Sequence, residues 1–159
     1  MIVRRTISIV CLAAAAAFTG CGVSGPDDFT LIQAKPELQG VDLGATGTSK
    51  GDEKHFEAAV TRDGEPVGKL LGQLTVRDVP DAGGTARVDE SDLVFRLKDG
   101  DLFATGIAEY SGTDWRLTAQ KPVRRAILGG TGAYAGARGE LVTTLRSDGT
   151  YEQRFSFSG

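Results

Sequence analysis

Histidine and cysteine are almost absent from this sequence. It holds one histidine, His55, and two cysteines, Cys11 and Cys21. Everything beyond Cys21 is therefore free of thiols, so a disulfide, a thiolate nucleophile or a cysteine metal site is excluded there. Zinc clusters lack ligands for the same reason. A serine triad would have to use His55, which lies between Lys54 and Phe56 on the polar face of its strand pattern and reads as a surface residue. Sustained helical periodicity is missing throughout. So is a basic block: 18 Lys and Arg stand against 21 Asp and Glu, a net charge of −3, with the acidic residues dispersed. That balance argues against nucleic acid and against electrostatic attachment to anionic lipid. No metal and no cofactor is expected.

What is present begins with an export signal. Arg4 and Arg5 form a cationic stretch, and Ile7–Phe18 is apolar apart from Ser8. Its 12 residues suit the apolar region of a signal peptide and fall short of the roughly 20 that cross a bilayer. Phe18-Thr19-Gly20-Cys21 resembles a lipobox, with Phe18 where leucine is more usual. The expectation is removal of residues 1–20, lipid on Cys21, and a protein held by several acyl chains on the extracytoplasmic face of the cell membrane. The alternative is an ordinary secretory peptide and a secreted product. Without Arg4 and Arg5, 16 basic residues remain against 21 acidic, a net of −5. Residues 21–28 then read as a lipid-bearing flexible tether, and 29–159 as one domain large enough for its own core.

That domain is written in short alternating segments separated by Gly, Asp and Pro, the pattern of half-buried strands. Strands are expected at Phe29–Ala34, His55–Arg62, Val67–Asp78, Asp92–Lys98, Leu102–Tyr110, Val123–Leu128, Glu140–Arg146 and Tyr151–Phe157, with Trp115–Ala119 a short strand or a loop. Three Asp-Gly pairs, at 63–64, 99–100 and 148–149, mark hairpin turns. Hairpins in series leave exposed edges, and closure removes them. An all-β, eight-stranded antiparallel up-and-down barrel is therefore expected, with a sandwich as the structural alternative.

The segment Gly129-Gly130-Thr131-Gly132-Ala133-Tyr134-Ala135-Gly136 has the spacing of a dinucleotide-binding turn, but its context does not fit. Gly136 and Gly139 interrupt the helix that such a turn must open, and a hairpin pattern starts at Glu140. The longer stretch AILGGTGAYAGARGE (Ala126–Glu140) resembles the signature of dirigent proteins and allene oxide cyclase barrel-like domains. Ser49-Lys50-Gly51-Asp52 and Asp63-Gly64-Glu65-Pro66-Val67-Gly68 resemble segments of bacterial members. The resemblance implies an eight-stranded barrel with a partly apolar cavity, assembled in relatives as dimers or trimers. It also implies that Asp78 and Arg138 act on a bound intermediate, as acidic and arginine residues do in dirigent proteins. No position matches the cavity glutamate of the plant cyclases.

Alternation names further candidates. Asp78 shares a face with Leu70, Leu74 and Val76, and Glu109 shares one with Phe103 and Ile107. A carboxylate in an apolar cavity would be a raised-pKa acid or base. Catalytic candidates are therefore Asp78, Glu109 and Arg138. Ligand-binding candidates are Arg62, Tyr110, Tyr134 and Gln153, with Trp115 beside Tyr110 at a barrel mouth. The bland alternative puts the charged ones at strand ends, in solvent. The functional expectation is an apolar small molecule held in the barrel. An isomerase or cyclase acting on a hydrophobic reactive intermediate is the alternative, and a purely structural envelope protein the third.

Overall fold

The computed structural model describes residues 25–79, 86–111 and 115–158; the signal segment and Cys21 lie outside them. Nine strands run through the described chain. They are β1 (Phe29–Gln33), β2 (Glu37–Val41), β3 (Glu53–Arg62), β4 (Glu65–Asp78), β5 (Ala86–Leu97), β6 (Gly100–Ser111), β7 (Val123–Gly130), β8 (Gly139–Leu145) and β9 (Tyr151–Phe157). From β3 to β9 each strand pairs antiparallel with its successor, and β1 pairs with β9 on one side and β3 on the other. The ring is thereby closed: eight strands form the up-and-down barrel, and β2 lies on β3 outside it. No helix among the described residues is long and apolar enough to cross a membrane.

Local chemistry explains the connections. At the β3–β4 turn Asp63 and Gly64 both take positive φ, 53° and 85°, the geometry a two-residue hairpin needs. β1 and β2 follow the same edge of β3. Gln33 faces Val60 and Glu37 faces Glu57, so one extra residue bulges between them at Ala34-Lys35-Pro36. Pro36 has no N–H to offer a ladder, which suits a break there. In the loop before β3, the Asp52 carboxylate accepts the backbone N–H of Ser49 (2.7 Å) and of Leu43 (3.1 Å). Those bonds hold its pKa below the ordinary carboxylate value.

The glycine loop is a plug. After β7 a single 3-10 turn, Gly132–Tyr134, leads through Gly136 into β8. Ala133 N–H donates to the Asp99 carbonyl (2.8 Å) and Thr131 N–H to that of Asp101 (2.8 Å), binding the loop to the β5–β6 hairpin. Gly132 has φ 58°, and a methyl group on it would overlap the Asp99 carbonyl oxygen. Tyr134 and Ala137 are thereby pressed into the apolar core. That core fills the adjoining half of the barrel: Phe29, Leu31, Phe95, Leu102, Leu141 and Phe155 are its main members. Phe155 stacks on Phe29 at 4.7 Å and meets Phe95 edge-on at 4.9 Å.

The structure departs from the sequence expectation at two strands: β2 was not foreseen, and β5 starts at Ala86 rather than Asp92. Of the two readings left open for Trp115–Ala119, the loop is the one observed.

Candidate functional site

Successive residues of a strand face opposite sides of a sheet. On β5 the inward parity of Leu93 and Phe95 therefore carries Arg87, Asp89 and Ser91 inside, and all three are buried. On β7 it places Arg125 inside and Arg124 outside, where Arg124 pairs with Glu140. Gln33, Thr143 and Gln153 enter from β1, β8 and β9 by the same rule. Gly106 on β6 contributes no side chain, and a Cβ there would sit 2.9 Å from the Arg125 Cγ. The missing atom is the space the arginine stem occupies.

These groups form one directed hydrogen-bond chain. Arg125 Nε donates to Ser91 Oγ (2.6 Å), which donates to the Gly106 carbonyl (3.1 Å). Arg125 Nη1 donates to Thr143 Oγ1 (2.7 Å), which donates to Gln153 Oε1 (2.7 Å). Gln153 Nε2 then donates to Gln33 Oε1 (2.6 Å). The Tyr110 hydroxyl is also bonded to Arg125. Burial pushes the Tyr110 pKa up to about 12 and drives that of Arg125 down. Beside them Arg87 grips Asp89, with Nε at 2.8 and 3.0 Å from the two carboxylate oxygens; both side chains are essentially sealed from solvent, at 2% and 0% exposure.

The polar ring forms one wall of a small cavity at the end of the barrel away from the glycine plug. Its apolar walls include Phe56, Leu70, Leu74, Leu93, Trp115 and Leu117. Its volume is about 40 Å³, room for one or two waters. Leu117 is buried and Trp115 half-buried, and together they cap the space. Two cations lie over the Trp115 ring, the Arg87 guanidinium 3.8 Å and the Lys54 Nζ 5.1 Å from its centre. Pro36, Leu38 and Tyr151 are shared with a groove of about 630 Å³ outside, between β2 and the β8–β9 hairpin. The groove also carries Lys35, Arg116, Arg146 and Asp148.

The residues singled out from the sequence fall into two groups. Tyr110, Gln153 and Trp115 line the cavity; the others do not. Asp78 is exposed and pairs with Lys50 at 2.9 Å, and that lysine holds its pKa below the usual carboxylate value. It loses the face of Leu74 and Val76 because a bulge between Val76 and Asp78 shifts the register. Glu109 does share a face with Phe103 and Ile107, but that face is the outer one: Ile107 is 64% exposed, and Glu109 lies 3.6 Å from Lys121 in solvent. Arg62 reaches over the Phe29 ring at 4.9 Å. Tyr134 belongs to the packed core, and Arg138 bonds the Ala137 carbonyl at 2.8 Å from an exposed position. Among the described residues no group of three or more His, Cys, Asp and Glu could hold a metal ion.

Arg125, Ser91, Thr143, Gln33, Arg87 and Asp89 were missed. One signal was legible: with Arg124 and Arg125 adjacent on a strand of a closed barrel, one of the two must point inward.

No family model and no curated protein matches this sequence. Solved structures do share its fold. A pyocyanin demethylase superimposes with a TM-score of 0.67 at 24% identity, over 82% of this chain and 99% of its own. An exo-specific intermolecular Diels-Alderase gives 0.56 at 19% identity, over 84% and 95%. A Diels-Alderase from Streptomyces koyangensis gives 0.59 at 16% identity, over 80% and 59%. At these identities the likeness is one of fold.

Proposed function

We propose that this barrel binds an apolar small molecule in the half of its interior opposite the glycine plug, reached from the groove beside β2. The observation that carries the reading is an aromatic-lined cavity set against a buried polar ring, in the half of the barrel that the main core does not fill. Small-molecule sites have this composition, and they have volumes of roughly 300–1,000 Å³. A space of 40 Å³ is the closed form. In the bound form the ligand takes the place of Trp115 and Leu117, and the adjoining groove supplies the room. Only a short segment moves, while the strands stay paired. Fold neighbours named for reactions on small molecules support the reading.

The test is direct. Nile red, a neutral apolar dye, binds with a rise in its own emission and a change in Trp115 fluorescence, Trp115 being the single tryptophan. Native mass spectrometry of protein purified from its own host shows a retained ligand. Absence of both removes the proposal.

A cyclase or isomerase is the second reading. What favours it is Arg125 bonded to Tyr110 at the wall of a small, largely apolar cavity, two donors able to polarise a substrate oxygen while the walls fix its shape. Under it the chemistry falls to those two groups rather than to the exposed Asp78, Glu109 and Arg138. Kinship with dirigent and allene oxide cyclase barrels belongs to this reading and is carried by the Ala126–Glu140 sequence. The lipid anchor at Cys21 is likewise a proposal, resting on the lipobox-like residues. Cys21→Ser moves the protein from the membrane fraction to the soluble one if the anchor is real, and leaves it in place if not.

A further inference from the structure

We infer that the ligand of this cavity is an anion: a molecule with an apolar body and a single carboxylate-type oxygen pair, seated against Arg125. The inference rests on the binding reading above and adds the charge of what is bound.

Three charged side chains from the strand walls are buried in this half of the barrel among the described residues: Arg87, Asp89 and Arg125. Arg87 and Asp89 neutralise each other at hydrogen-bond distance. Arg125 bonds only neutral partners among the described residues: the Ser91 and Thr143 hydroxyls and the Tyr110 phenol. Tyr110 could supply the missing negative charge by ionising, but burial keeps it protonated far above neutral pH. The interior therefore carries one net positive charge beside an apolar cavity. A buried charge without a counter-charge is costly, and an anion entering the cavity removes that cost. The approach is biased the same way. The groove that shares Pro36, Leu38 and Tyr151 with the cavity carries Lys35, Arg116 and Arg146 against the single acid Asp148, although the whole chain is net negative. Such a rim concentrates anions at the mouth. The remaining cavity wall is aromatic and aliphatic, which suits a hydrocarbon body rather than a polyanion.

The experiment is displacement of bound Nile red by octanoate and by octanamide, which share a chain and differ in charge. Octanoate is expected to displace the dye at concentrations about tenfold or more lower, the gain typical of a charge-assisted pair over a neutral one. Arg125→Met keeps the aliphatic stem and removes the charge, so it abolishes the preference for octanoate over octanamide. Equal displacement by both compounds in the unaltered protein overturns the inference and leaves the binding reading standing. A preference that survives in folded Arg125→Met also overturns it. If Nile red does not bind at all, both fail together. The comparison in the unaltered protein needs no variant to fold.

Discussion

The Arg87 guanidinium lies 3.8 Å from the centre of the Trp115 ring, and it is the same guanidinium that holds Asp89. One side chain thus ties the cap to the barrel wall. A desolvated cation on an indole face is worth about 2 kcal/mol. Trp115→Ala is expected to lower stability by about that much in urea denaturation. In stopped-flow measurements it speeds Nile red release, because the cap loses its hold. Unchanged release rates would separate the cap from ligand exchange.

Thr143 accepts from Arg125 and donates to Gln153, each at 2.7 Å. Thr143→Val keeps the shape and strands a buried donor and a buried acceptor, at about 1–3 kcal/mol each. A loss of about 2–6 kcal/mol is expected from denaturant midpoints. Thr143→Ser retains the hydroxyl and costs far less. A Thr143→Val loss no larger than that of Thr143→Ser would mean that the hydroxyl contributes no more there than the methyl group.

Tyr110 titrates late. Its pKa in the folded protein is about 12, against 10.0 for the free side chain. A raised folded value means a contribution that is full below pH 10 and lost as pH climbs towards 12. Spectrophotometric titration should show one tyrosine ionising near the upper end of that window, and Tyr110→Phe should remove that step. An all-normal titration in the folded protein would contradict the burial described for this hydroxyl.

Two glycines of the plug separate strain from collision. Gly136 has φ 78° with nothing within 4 Å of a built Cβ, whereas Gly132 has φ 58° and meets the Asp99 carbonyl. Gly136→Ala should cost about 1 kcal/mol, the left-handed penalty alone. Gly132→Ala should cost more, and thermal melts rank the pair.

The fold was legible because apolar alternation and Asp-Gly turns speak for strands wherever the inner face is apolar. It failed where the inner face is polar. In Arg87-Val88-Asp89-Glu90-Ser91 the inward residues are arginine, aspartate and serine, so the stretch shows no apolar alternation and reads as a loop. Phase counted back from Leu93 and Phe95 would have placed all three inside. Gln153 was found because Tyr151 and Phe155 flank it on the same face. Asp78 was misplaced because one bulged residue inverts every parity count beyond it, and a bulge leaves no plain mark in composition. Glu109 was misplaced because Ile107 lies on the outer face, so apolar character misnamed the inside. β2 escaped notice because all five of its residues are exposed.

The aromatic core and its glycine plug occupy one half of the cylinder and the polar ring the other. On the binding reading proposed above, cohesion and recognition fall to different storeys of the same tube. Apolar residues that line the cavity outside the hydrogen-bonded ring can be exchanged for others of matching bulk while the lower storey keeps the barrel closed. A scaffold divided in this way could drift from one ligand to another, or be redesigned to do so, without first being restabilised.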